Sequence, residues 1–379
     1  MPSRVLLDVG PAAGGHGARG IGRYVRGLVD SLDEWPAERR ELVWAVGRAG
    51  QDLDSFGLRS TTSRWLGFRP LDLGLVASPI ALDRATRRTR AAIFHATDPH
   101  RPWRSRRVRQ IVTAYDLIPL RETEMLASWQ PHQRYAYRAY LDQVRRADLV
   151  VAISQATADD VAERLGVGPD RIAIVCPVVA APAVPLDPAR GAKPDEAIDP
   201  ARGAAPAEPT FLFVGALDPH KQPELAVAAL ASYRETHGGG LLHFIGPSSE
   251  EQRAGVRTAA QRLGVVDAIR FEGRVSDPEL DAAYATATAL LATSRLEGFG
   301  LPPVEAILRG VPVISVDIPS ARETVGDAAT LVPSDAGSIA AAMAAPRPPS
   351  DRARAEIAGR YSRASTAEAL WAAYSRVFG

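Results

Sequence analysis

Short apolar or β-branched runs recur along the first half of the chain with amphipathic stretches between them: VLLDV (5–9), LVWAV (42–46), AAIFHA (91–96), QIVTAYD (110–116), LVVAIS (149–154) and IAIVCPV (172–178). Strands that alternate with helix-period segments predict βαβ units and a parallel sheet. The same pattern restarts at FLFVG (211–215), LLHFIG (241–246), IRFEG (269–273), ALLAT (289–293) and VPVISVD (311–317). Two similar α/β domains, each a doubly wound sheet, are therefore expected. Between them lies a Pro, Ala and Gly-rich stretch in which DPARGA occurs at 187–192 and again at 199–204. It has too little apolar surface to fold and reads as an extended linker. The predicted organisation is a first domain over 1–180, a linker over 181–209 and a second domain over 210–355. The segment 356–379 carries Leu370, Trp371, Tyr374 and Phe378 at helical spacing and can pack on either domain, including back on the first.

A length of 379 residues suits two domains facing across a cleft, and 46% hydrophobic with 23% charged residues is ordinary globular composition. No apolar run approaches the roughly 18 to 20 residues that span a bilayer. The start, MPSRVLLDVG, reads as a buried strand and not as a secretion signal, so a cytoplasmic location is expected. The single cysteine, Cys176, excludes an intrachain disulfide and a cysteine-rich metal site; in RIAIVCPVV it reads as a packed thiol.

The net charge of +1 is unevenly spread: residues 1–180 hold 26 arginines against 20 acidic residues. Arg84, Arg87, Arg88, Arg90, Arg101, Arg104, Arg106, Arg107 and Arg109 form a dense cluster. It fits a solvated surface, and alternatively a peripheral contact with an anionic membrane at its inner face or with a phosphorylated acceptor. No aromatic-interleaved basic motif supports nucleic-acid binding. Of 45 basic residues only Lys193 and Lys221 are lysines. Lys193 falls in the linker, whereas Lys221 falls in a turn after a predicted strand.

Candidate chemistry centres on ATSRLEGFGLPPVEAILRGVPVISVD. A strand ends near Thr293, a glycine loop follows, Pro302 or Pro303 suits the first turn of a helix, and Gly310 stops that helix. The loop thus brings a helix N-terminus to the carboxyl edge of a parallel sheet, where the amides of Phe299, Gly300 and Leu301 can face an anion or sugar hydroxyls. Glu297 and Glu305 bracket this nest and can accept from vicinal hydroxyls. Spacing alone fits equally well a surface acid at 297 and, at 305, a first-turn carboxylate that complements the helix dipole.

Glu297-Gly298-Phe299-Gly300-Leu301-Pro302 followed by Glu305 resembles the E-x7-E signature of the retaining glycosyltransferases of family 4, in particular a mannosyltransferase-like subgroup. Ordered matches extend over nearly the whole chain: GIGRYVRGLV (20–29), DLIPL (116–120), ADLVVAISQAT (147–157), VGALDPHKQPELAVAAL (214–230), FEGRVSDPELDAAYATA (271–287) and SARETVGDAATLVP (320–333). The resemblance implies a GT-B fold and transfer of a hexose from a nucleoside diphosphate sugar to a sugar, lipid-linked or small-molecule hydroxyl. It implies no cofactor and no metal, and no His/Asp/Glu cluster here has metal spacing. It implies that Glu305 holds the donor ribose, that Glu297 holds the transferred sugar, and that the amides of Phe299, Gly300 and Leu301 hold sugar and phosphate. Lys221, after Gly215 and a Pro-containing turn, would stabilise the departing diphosphate.

This chain departs from the family pattern at three places. His220 stands where the family often carries arginine, Ala216 replaces another arginine, and Tyr115 stands for the histidine before DLIPL. Diphosphate binding is expected to lean more heavily on Lys221, or on an arginine such as Arg274, beside Gly273, or Arg295. Tyr115 could still donate a hydrogen bond beside the reacting carbon. Gly15-x-Gly17-x-x-Gly20 imitates a dinucleotide fingerprint, but the second strand ends in Gly47 and Arg48 instead of an acid, so it reads as a glycine loop opening a helix near Gly20 or Gly22 and facing the diphosphate. Asp8 reads as structural, while His95, Asp98, Asp116 and Ser154 are candidates for the acceptor side. Two other classes remain: a catalytically silent GT-B protein that binds a nucleotide sugar or a partner, and a GT-B epimerase or phosphorylase.

Overall fold

The structure is a computed structural model that describes residues 4–12, 20–47, 57–62, 82–99, 108–179 and 208–378. The chain forms two compact units, residues 1–178 with 361–379 and residues 179–360. Residues 181–207 of the expected linker, with both copies of DPARGA and Lys193, lie outside the described residues, as do Gly15, Gly17, Arg101, Arg104, Arg106 and Arg107.

The first unit is built on strands β1 (Arg4–Asp8), β2 (Val43–Gly47), β3 (Arg59–Thr62), β4 (Ala91–Ala96), β5 (Arg109–Ala114), β6 (Leu149–Ala152) and β7 (Ile172–Ile174). They lie in the order β3-β2-β1-β4-β5-β6-β7, and every pair is parallel. Central strands are buried on both faces, which is why they read as continuous apolar runs. Leu6, Phe94, Val112 and Val150 share one core with Tyr137, Tyr140, Leu141 and Val144 of the helix Pro131–Arg146. The edge strand β3 (RSTT) has no apolar pattern and, among the described residues, pairs only with β2, so its sequence carries no strand signal.

The C-terminal segment completes this unit. Instead of one helix from 356, the chain makes the helix Asp351–Arg360 in the second unit, breaks at Tyr361 and Ser362, and restarts as Arg363–Ser375 in the first. Ser362 caps the restart by accepting from Ser365 N at 3.1 Å. Trp35 Nε1 donates to Ala367 O at 2.9 Å, and Leu370 and Tyr374 are fully buried. Burying a side chain such as Leu370 contributes about 2 kcal/mol. Arg109 of the arginine cluster donates to Val377 O at 2.6 Å, so this member serves the fold.

The second unit holds β8 (Thr210–Val214), β9 (Leu241–Ile245), β10 (Ile269–Gly273), β11 (Ala289–Ala292), β12 (Val313–Val316) and β13 (Thr330–Val332). Their order is β10-β9-β8-β11-β12-β13, again all parallel. Phe211, Phe213, Leu242, Phe244, Leu291 and Ile314 form its core with Ala226, Val227 and Leu230 of the helix Pro223–His237. The three-residue edge strand β13 is too short to register as a periodic run. Among the described residues no helix is long and apolar enough to cross a membrane.

Candidate active site

In the second unit the strand order reverses between β8 and β11, so the loops leaving their carboxyl ends diverge and open a crevice. Lys221 and Glu297 come from these two loops. After β8, Gly215 leads to a 3-10 turn, Pro219–Lys221, whose exit residue Gln222 has φ 49 before the helix Pro223–His237 begins. After β11, residues 293–300 form the second loop, and Gly300, at φ 87, turns it into the helix Leu301–Leu308. That left-handed backbone, and not lack of space, is what requires glycine at 300.

Lys221 Nζ donates to Glu297 Oε1 in a close ion pair, and Ser294 Oγ donates to the same oxygen at 2.8 Å. The two charged side chains are 18% and 21% exposed, open to the crevice yet largely withdrawn from water. Burial pushes the Glu297 carboxyl up, but the charge and hydrogen bond of Lys221, the Ser294 hydroxyl and the charge of His220 together outweigh it. The carboxyl therefore ends below the ordinary glutamate range and is an anion at neutral pH. The lysine stem lies over Gly215, where a β-carbon would sit 3.5 Å from Lys221 Cδ. Beneath it, a β-carbon at Gly246 would fall 2.2 Å from Gly215 O, so only glycine lets these strand ends meet. Gly246 was not singled out from sequence; its signal is that FLFVG, LLHFIG and IRFEG all close on glycine.

A crevice opens beside the pair, with Lys221, Ser294, Glu297, Phe299, Gly300 and Ser315 among its lining residues. The helix Leu301–Leu308 starts with no side-chain cap. Pro302 and Pro303 have no N–H, so the positive end of the helix is presented through the amides around Gly300 and Leu301. The Phe299 ring is buried and seats the loop.

Glu305 differs from expectation. It is the fifth residue of its helix, beyond the first turn, and it is 3% exposed, so it is not a dipole-complementing surface acid. Tyr284 Oη lies 3.4 Å from Glu305 Oε2, and the Arg309 guanidinium stacks over the Tyr284 ring while Arg309 Nε donates to Asp281 at 2.8 Å. His220 is buried, and its carbonyl accepts from Arg295 N at 2.9 Å. Gly273 ends β10 and its carbonyl accepts from Gly246 N at 2.7 Å, whereas Arg274 is exposed at the end of this edge strand, two strands away from β8.

In the first unit several expected acceptor-side residues prove to be parts of the fold. His95 is fully buried, with Nδ1 2.9 Å from Tyr374 Oη and Nε2 2.9 Å from Thr113 Oγ1; both ring nitrogens are used, and burial lowers its pKa to about 3. Tyr115, expected as a catalytic phenol, is buried. Its hydroxyl donates to Thr97 O at 2.7 Å, its ring meets Tyr24 edge-on at 5.4 Å, and burial, then Tyr24, Tyr140, Asp98 and Asp8, hold the phenol well above the tyrosine range. Ser154 is fully buried and caps the helix Gln155–Leu165 by accepting from Thr157 N at 3.0 Å. Ser154→Ala is expected to cost about 1 kcal/mol in urea unfolding, and a loss below about 0.3 kcal/mol would remove the cap assignment.

Asp116 accepts from Ile118 N at 3.1 Å within its own turn, and Asp98 is half-buried near Tyr115. Asp8 accepts from Gly10 N at 2.9 Å, in keeping with a structural part. The helix Gly20–Ser31 opens at Gly20, with Gly22 buried in its first turn.

Residues 18–180 match the family described as Glycosyltransferase Family 4, and residues 194–345 the family described as Glycosyl transferases group 1. The chain is 29% identical over 257 residues to a D-inositol 3-phosphate glycosyltransferase of Segniliparus rotundus, a match that covers 65% of this chain and 55% of that protein. It is 27% identical over 353 residues to a glycogen synthase of Mycobacterium tuberculosis, covering 89% of this chain and 79% of the relative. The chain thus spans about half the length of the first relative and more of the second. Among solved structures, the sucrose-phosphate synthase of Thermosynechococcus elongatus shares the fold with a TM-score of 0.72 at 19% identity, over 99% of both chains. The chain thus has the GT-B fold, with a region similar to Glycosyltransferase Family 4 on its first doubly wound sheet and a region similar to Glycosyl transferases group 1 on its second.

Proposed function

We propose that the protein transfers a hexose from a nucleoside diphosphate sugar to a hydroxyl acceptor, with retention at the anomeric carbon and without a metal ion. The observation that carries this reading is the Lys221–Glu297 pair beside the uncapped helix start at Gly300 and Leu301. As the bond from the sugar to the diphosphate breaks, negative charge builds on the leaving oxygen. An ammonium and helix-terminal amides, held in a place withdrawn from water, meet that charge where it develops, which is the work a metal does in other transferases. Glu297, anionic and braced by Ser294, accepts hydrogen bonds from hydroxyls of the transferred sugar, and Glu305 accepts from the ribose. Glu297 Oε1 is already held by Lys221 and Ser294, which suits a positioning carboxylate better than an attacking one. Retention then follows from departure and attack on one face of the sugar, with the leaving phosphate oxygen taking the acceptor proton.

The two curated relatives, named for transfer to an inositol phosphate and for glycogen synthesis, favour a hydroxyl acceptor. Thermal-shift screening against UDP, GDP, ADP and dTDP sugars is expected to raise Tm with one base, because a ligand well above its Kd stabilises the fold by about 2–4 kcal/mol. Turnover with that donor is expected to survive EDTA, and NMR of the product is expected to show the donor's anomeric configuration. An inverted linkage would overturn retention, and turnover abolished by EDTA would overturn metal independence.

A further inference from the structure

The geometry points to Thr293 as the positioning residue that sets Lys221 in place for transfer, an inference that rests on the transferase reading above. Thr293 directly follows β11 and is 1% exposed. Its hydroxyl lies 2.7 Å from Lys221 O and 3.0 Å from Gln222 O, so one buried donor serves two consecutive carbonyls of the lysine turn. Two residues on, Arg295 N donates to His220 O at 2.9 Å. Three successive carbonyls, those of His220, Lys221 and Gln222, are therefore held by the loop that carries Glu297. Between those two anchors, Ser294 reaches Glu297 itself.

The turn needs such a hold. Gln222 sits at φ 49, a conformation that L residues other than asparagine and aspartate adopt rarely and that persists where surrounding contacts determine it. Gln222 N donates to Pro219 O at 3.2 Å and Gln222 O accepts from Leu225 N at 3.0 Å within its own segment, while Ser334 Oγ reaches its side chain at 3.2 Å; Thr293 ties its backbone to the loop that carries Glu297. With the hydroxyl removed, the backbone of the turn can relax, and the lysine stem no longer has a fixed course over Gly215. A carbonyl serves here only as an anchor; Thr293 does not touch the reacting atoms, and it acts through Lys221.

The test compares Thr293→Val, which keeps the shape without the hydroxyl, with Thr293→Ser, which keeps the hydroxyl. Thr293→Ala runs in parallel, so that a folded variant lacking the hydroxyl is in hand if valine prevents folding. Because Lys221 and Lys193 are the only lysines, acetylation by N-hydroxysuccinimidyl acetate followed by mass spectrometry reads Lys221 directly, with Lys193 as the internal standard. Loss of the hydroxyl is expected to raise Lys221 acetylation severalfold relative to Lys193 and to lower kcat by about tenfold or more with a smaller change in donor KM. Serine is expected to restore both. Wild-type acetylation in folded valine or alanine variants, or a serine variant as impaired as valine, would overturn the inference. If the wild-type protein transfers no sugar from any donor, the transferase reading fails by itself, and the acetylation ratio still decides what Thr293 does.

Discussion

Lys221→Ala is expected to lower kcat for sugar transfer by about a hundred- to a thousandfold, the usual cost of deleting one group that meets charge developing in a transition state. Glu297→Ala is expected to lower kcat by a similar factor, because in the proposed function the same pair meets both the leaving group and the sugar. Stability behaves differently. Without Lys221, the Glu297 carboxylate is left largely withdrawn from water with only Ser294 and the more distant His220 to support it, and burial then pushes its pKa up. A partly buried charge that loses its partner costs about 2 kcal/mol, less than a fully buried one because a fifth of the side chain still meets solvent.

Removing both charges takes away that penalty. The double variant is therefore expected to recover most of the stability lost by Lys221→Ala while recovering none of the activity. The sign of the pH dependence follows from the lowered Glu297 pKa: the pair contributes its full stability above the unfolded glutamate pKa and loses it as pH falls through the lower folded value. Urea melts and steady-state rates on the three variants check both readouts. Turnover within threefold of wild type in Lys221→Ala would remove the lysine from the chemistry.

How much of this was legible in the sequence depends on whether a residue acts through its own segment or through a distant one. The central strands announced themselves because burial on both faces makes them apolar throughout, whereas β3 and β13, at the sheet edges, had only RSTT and TLV to show. Glu297, Gly300 and Lys221 could be read because motif, turn and rarity each marked them. Thr293, Ser294 and Gly246 carry no such mark: a threonine at a strand end looks the same whether its hydroxyl meets water or a carbonyl 72 residues earlier. The same ambiguity applies in the first unit. His95, Tyr115 and Ser154 stand at or near strand ends, where ligand-facing and inward-facing polar residues have identical spacing, and all three turned out to hydrogen-bond within the fold. The partner of His95 comes from the C-terminal helix, 279 positions away, beyond any local pattern.

That partnership makes His95 the second large lever. Its neutral ring uses one nitrogen as donor and the other as acceptor, which pins Tyr374 on one side and Thr113 on the other in a fully buried place. His95→Ala removes both bonds, strands two hydroxyls and opens a cavity, so a loss of about 4 kcal/mol is expected, enough to loosen the C-terminal helix from the first unit. Protonation attacks the same place. The folded pKa of about 3 lies below the unfolded value of 6.5, so between these values the unfolded chain holds the extra proton. Stability from this residue is complete above pH 6.5 and falls by about 1.4 kcal/mol per pH unit as the pH drops towards 3. His95→Gln keeps a donor and an acceptor but does not titrate, and it is expected to flatten the pH dependence of urea stability by about that slope between pH 6 and 4. Trp35 and Trp371, whose rings meet edge-on at 5.2 Å where the helix docks, report the transition by fluorescence. A His95→Gln protein whose stability falls with pH as steeply as the wild type would show that the histidine is not the titrating group.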